Sequence, residues 1–276
     1  MDKELKTKQI TSYTGELFDY ESNFSNEYNQ IGELHNIILN DISSKWETFT
    51  SGKAYPGKDL YYYTIKKTFE LTISEEKEPE LLSFADTLLA ELRAGNSQTK
   101  NNAKETTESR KLFYVNEMKS FMKNIKNGYF DDFFNDVNKF LDDNVTDNAI
   151  GKILEIEQKV FYSTMNAEAK KLYLIFCSVA KYSYLNLNQL MQHDYVLFFG
   201  KSVFEKGLFT GKGGMIWADA VGAVKGAIEG GTTGSVVGPV GTTAGAIIGG
   251  VSYGALSSAT EYAIEQTVVQ WIENIF

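Results

Sequence analysis

Apolar residues recur at three- and four-residue steps through Ile31, Leu34, Ile38, Ile42, Trp46 and Phe49, the spacing that stacks side chains on one helical face. The pattern predicts a core-facing helix that ends near Gly52. Beyond Pro56-Gly57, the segment Leu60 to Thr72 mixes aromatic and β-branched residues and fits strand or helix, with helix favoured. Glu78-Pro79-Glu80 places proline and acids in a first helical turn, where the helix dipole favours them, and Leu82, Leu88, Leu89 and Leu92 follow up to Gly95. Residues 95–108 hold one alanine as their only apolar side chain, too little burial to offset the entropy of ordering, so a mobile linker or an exposed helix is expected there. Amphipathic runs then cover Leu112 to Ile125, Phe130 to Leu141, Ile150 to Met165 and Ala167 to Phe199, the last with a break expected at Asn186-Leu-Asn.

With only three prolines, Pro56, Pro79 and Pro239, and few turn signals, the chain is read as mainly α: a helical bundle followed by a C-terminal glycine-zipper helical hairpin. The expected divisions are a polar N-terminal arm over 1–28, a bundle domain over 29–205 with its linker near 95–108, and the hairpin with an amphipathic C-terminal helix over 214–276.

Glycine changes the picture, because sixteen of the chain's twenty-three glycines lie between Gly200 and Gly254. Gly222, Gly226, Gly230, Gly234 and Gly238 fall every fourth residue, and after Pro239 the series restarts at Gly241, Gly245 and Gly249. On a helix each series is a flat stripe that lets a second helix approach to backbone contact. In water each such glycine costs a helix about 1 kcal/mol relative to alanine, so the segment must be held by lipid, by a partner or by burial in the protein. Gly238-Pro-Val-Gly241 is the expected turn, between arms over 215–237 and 241–273.

No charge occurs between Glu229 and Glu261, and Val240 to Thr260 is about long enough to span a bilayer core. Thr242, Thr243, Ser252, Ser257 and Ser258 dilute that run, and Asp219, Lys225 and Glu229 interrupt the first arm, which favours conditional insertion over a constitutive anchor. The tail sets Ile264, Val268, Trp271, Ile272 and Ile275 against Glu261, Glu265 and Glu273. Trp217 and Trp271 are the candidate membrane-interface residues, with core packing as the alternative role for the tail and its Trp271.

The run Gly-Ala-Ile-Glu-Gly-Gly-Thr-Thr-Gly-Ser-Val-Val-Gly-Pro-Val-Gly-Thr-Thr-Ala-Gly-Ala-Ile-Ile-Gly-Gly, from Gly226, resembles the glycine-zipper hairpins of class II bacteriocins and related bacterial membrane-active proteins. The resemblance covers about fifty residues and implies permeabilisation of a target membrane. The chain departs from small bacteriocins in the two hundred residues before the hairpin.

A net charge of −9 argues against a nucleic-acid partner, since neutralising phosphates needs a basic surface. The expected partners are membrane lipid, conditionally, a second copy through the hairpin, and an immunity or carrier protein. Cys177, the sole cysteine, sits in an apolar run and reads as a buried thiol. Met1 to Lys8 contains no apolar stretch of the secretory kind, so synthesis in the cytoplasm is expected, with any export by a non-classical route and membrane association on activation.

No catalytic, cofactor-binding or metal-ligating constellation stands out. Gly250-Val-Ser252-Tyr-Gly254 matches a nucleophile elbow, but His35 and His193 both precede it, whereas that fold places histidine after the serine. Gly207 to Gly213 is one residue short of a phosphate loop. Asp131, Asp132, Asp136, Asp142 and Asp143 lack calcium-loop spacing and read as a solvated face. Three functional readings follow: a pore-forming toxin- or effector-like protein, a non-enzymatic scaffold with the hairpin packed permanently against the bundle or a partner, and a hydrolase using Ser252.

Overall fold

A computed structural model describes residues 26–45, 48–49, 58–72, 149–192, 211–234 and 242–257, with single positions between 116 and 137. The described residues are almost entirely α-helical and include no strand. The elements are α1 (Asn29–Ser44), α2 (Lys58–Thr72), α3 (Ala149–Tyr162), α4 (Ala167–Gln192), α5 (Gly211–Gly234) and α6 (242–257).

Asn26 starts α1 by accepting from the Tyr28 N–H at 2.9 Å, an Asx turn that leads the chain into the helix. Ile31, Ile38 and Ile42 are buried along the periodic face, Leu34 is partly buried, and regular helix ends at Ser44, with helical Thr48 and Phe49 beyond. The ambiguous segment is helical as α2. Its β-branched residues are accommodated because Thr64, Thr68 and Thr72 donate their hydroxyls to the carbonyls of Leu60, Thr64 and Thr68 at 2.7–2.8 Å. Asn166 caps α4 by accepting from the Ala169 N–H at 2.8 Å.

The break expected at Asn186 is absent: α4 runs unbroken to Gln192. Residues 172–184 are buried on every side, so α4 is the central helix of the bundle and its propensity is overruled by packing. α1, α3 and α5 pack along α4, and α2 packs on α1. Aromatic contacts tie the layers: Phe133 stacks on Tyr173 with ring centroids 4.2 Å apart, and Phe176 meets Trp217 edge-on at 5.3 Å.

One continuous core includes residues of α1, α2, α3, α4, α5 and α6. The expected helix from Glu80, the linker over 95–108, the turn at 238–241 and the tail with Trp271 lie outside the described residues, as do the arm residues before Asn26.

Candidate functional site

α5 is 24 residues long and carries its small residues where another backbone needs to come close. A Cβ placed on Gly226 would lie 2.0 Å from the carbonyl oxygen of Gly249, and one on Gly249 would lie 1.9 Å from that of Gly226. A Cβ on Gly230 would meet the Gly245 oxygen at 2.1 Å, and one on Gly222 would meet Ser257. Residue numbers rise on α5 as they fall on α6, so the two helices pair antiparallel in backbone contact. No side chain, not even a methyl group, fits between them at Gly226 or Gly230. Gly234 closes α5, and Gly238, Pro239 and Gly241 lie outside the described residues.

This pair is internal to the protein. Every residue from 216 to 224 and from 248 to 256 is buried. Trp217, a candidate for a membrane interface on the sequence pattern, is instead wholly enclosed against Phe176. Among the described residues no helix is long and apolar enough to cross a membrane.

A close contact of the same kind, unread in the sequence, joins α1 to α4. A Cβ on Gly32 would fall 2.5 Å from Tyr182 and 2.8 Å from the Ser178 carbonyl. The Gly32 N–H donates to Ser178 Oγ at 3.2 Å, and that hydroxyl donates to the Tyr28 carbonyl at 3.0 Å. The available signal was a glycine inside an otherwise strong helical stripe.

Polar side chains converge where α1, α4, α5 and α6 meet. His35 of α1 and Asp219 of α5 are 0% and 1% exposed, with His35 Nε2 3.5 Å from Asp219 Oδ2. Ser183 of α4 donates its hydroxyl to the same Asp219 oxygen at 2.5 Å. Gly254 of α6 completes the enclosure, since a Cβ there would touch His35 Cδ2 at 3.0 Å. His35 Nε2, Asp219 Oδ1 and the Asn186 side-chain nitrogen are buried without a hydrogen-bond partner, so the 3.5 Å His35–Asp219 approach is an ion-pair contact and not a hydrogen bond. Burial opposes a charge on His35, but Asp219, with Asn36 beside the other ring nitrogen, more than offsets it and raises the His35 pKa above 6.5.

A second buried charge pair links α3 to α4. Lys181 Nζ lies 3.2 Å from Glu157 Oε2 and donates to Asn29 Oδ1 at 2.8 Å. Asn26 donates to Glu157 and to the Leu174 carbonyl, so the start of α1 is fastened to the same cluster. Cys177 is buried nearby, and burial together with the Glu157 carboxylate pushes its thiol pKa well up, which suppresses the reactive thiolate.

In the first cluster the Ser183 hydroxyl donates to Asp219, and His35 faces the same carboxylate oxygen. Ser252 lies mid-helix in α6 and donates to Thr68 Oγ1 at 3.1 Å, not on a strand-to-helix turn. Among the described residues no three His, Cys, Asp or Glu side chains gather as a metal site. Of the acids read as a solvated face, Asp136 pairs with Lys159 at 2.6 Å, and the others lie outside the described residues.

No protein-family model, curated protein or solved structure matches the chain. The likeness to glycine-zipper bacteriocins rests on the residue pattern alone.

Proposed function

We propose that the chain is a non-enzymatic, membrane-active protein of the pore-forming kind, in which the α5–α6 pair is stored inside a soluble helical bundle and enters lipid when the bundle opens. The observation that carries this reading is the location of the glycine-striped helices. They include the longest uncharged run in the chain, yet residues 216–224 and 248–256 are buried in the bundle as fully as residues 172–184 of α4. Amphipathic helices around them supply the water-facing surface. Backbone contact at Gly226–Gly249 and Gly230–Gly245 does not depend on water, so the same faces can pair in a bilayer, within one copy or between copies.

Two observations favour the scaffold reading, in which the stripe serves internal packing only. Trp217 is committed to the core, and no described helix is long and apolar enough to cross a membrane.

Dye release from liposomes separates the two. Truncating the chain before α5 is not a usable control, because α5 and α6 are part of the core. A tether is better: Thr68 and Ser252 hydroxyls meet at 3.1 Å between α2 and α6, so Thr68→Cys with Ser252→Cys, in a Cys177→Ala background, places two thiols within bonding reach. Release from anionic or neutral vesicles by the reduced protein, lost on oxidation, is the expected result. Release from the oxidised form refutes the storage mechanism, and no release from either form leaves the zipper as packing.

A further inference from the structure

The His35–Asp219 contact is the only place among the described residues where a buried ionisable group of α1 faces a buried charge of the glycine-striped pair. Its protonation state can be worked out from hydrogen-bond geometry. Asn36 Nδ2 donates to the Tyr182 backbone carbonyl at 2.7 Å, and this fixes the orientation of the amide. Asn36 Oδ1 therefore faces His35 Nδ1, 3.0 Å away, and because that oxygen can only accept, Nδ1 carries a hydrogen. The other nitrogen, Nε2, faces the Asp219 carboxylate. In a neutral ring already protonated at Nδ1, Nε2 would present a lone pair to that carboxylate inside the core. Only the imidazolium carries a hydrogen on both sides, in the hydrogen bond to Asn36 Oδ1 and toward the Asp219 carboxylate across a 3.5 Å ion-pair contact.

Other charges near the contact are already engaged. On α1, Glu33 accepts from the Tyr182 hydroxyl of α4 at 2.9 Å. Lys181 of α4 is held by Glu157 of α3. On α5, Lys225 and Glu229 lie two and three turns beyond Asp219, and α6 contributes Tyr253 as its only ionisable residue. Asp219 is thus the counter-charge of His35, with Ser183 as its neutral donor.

We infer that protonated His35 is a latch that holds the glycine-striped pair in the bundle, closed while the imidazole keeps its proton and weakened as it loses it. The pair has a clear sign. A histidine whose folded pKa is raised contributes stability that is fully present below its unfolded value near 6.5 and is lost as pH rises through the folded value. Mild acid, the usual condition for opening a histidine switch, therefore tightens this one. Neutralising the ring leaves Asp219 buried without its cation, and α5 is the element that carries that charge. The consequence for lipid rests on the stored-pair reading above, whereas the latch itself does not.

The decisive measurement is a nitrogen-detected NMR titration of the imidazole in intact protein, with His193→Gln so that a single histidine remains. Both His35 nitrogens in the protonated range at pH 6, with a midpoint above 6.5, are the expected result. A neutral Nδ1–H ring at pH 6, or a midpoint below 6.5, overturns the latch. In the same protein the urea midpoint should fall between pH 6 and pH 9, and His35→Asn should flatten that fall. An equal fall in His35→Asn assigns the dependence to other groups and overturns the latch as its cause. Dye release should be faster at pH 9 than at pH 6. A cationic His35 with no release at either pH would keep the ion pair and refute the opening it is inferred to control.

Discussion

Alanine at Gly226 and alanine at Gly231 should have opposite effects, although the two sites are five residues apart on one helix. At Gly226 the added methyl carbon would sit 2.0 Å from the Gly249 carbonyl oxygen, 2.5 Å from its carbon and 2.7 Å from Tyr253 Cβ. Two of these three are backbone atoms of a packed helix and cannot rotate away, so the helices must move apart by more than 1 Å. Overpacking of that severity costs about 3 kcal/mol, and the better helix propensity of alanine returns about 1. The net loss is about 2 kcal/mol, or roughly 4–8 °C in Tm for a protein of this size. At Gly231 the nearest atom to a new Cβ is 3.6 Å away, an ordinary contact. Only the propensity term remains, and Gly231→Ala should gain about 1 kcal/mol, or roughly 2–4 °C. Thermal melts followed at 222 nm test both. A Gly226→Ala protein as stable as wild type, or Gly231→Ala as damaging as Gly226→Ala, would refute the backbone-contact account of the zipper.

Lys181→Met should cost about 3–5 kcal/mol by leaving Glu157, 1% exposed, without its cation, and Glu157→Gln added to it should recover part of the loss, as read by urea unfolding. Cys177 should not react with a thiol-specific disulfide reagent in the native protein at pH 8 and should react promptly in urea, since burial raises its pKa and blocks access; prompt native reaction would show that α4 is not enclosed. Replacing Gly226, Gly230, Gly245 and Gly249 together by leucine should unfold the bundle, not merely abolish lipid activity, because Gly226, Gly230 and Gly249 meet neighbouring backbone inside the protein. Circular dichroism of that variant decides the matter.

Much of the helical content was legible in the chain because local periodicity is a local property. The three- and four-residue steps of Ile31, Leu34, Ile38 and Ile42 are enough to make a one-faced helix. Spacing four residues apart likewise makes Gly222, Gly226 and Gly230 a stripe before anything is known of its partner. Other features had no local signal. Asn186 looked like a helix break, yet α4 passes through it with Asn186 itself buried, following the fully buried stretch 172–184. Nothing in the local pattern around Trp217 showed that it is enclosed against Phe176. His35, Ser183 and Asp219 are far apart in sequence and become one cluster only because three helices cross there. Sequence by itself determined the one-faced helices and the glycine stripe, since both follow from the order of residues along one helix, whereas α2 and the unbroken course of α4 were not fixed by pattern. Tertiary structure decided what the bare stripe touches and which charges meet in the core, because those depend on residues brought together only when the helices pack.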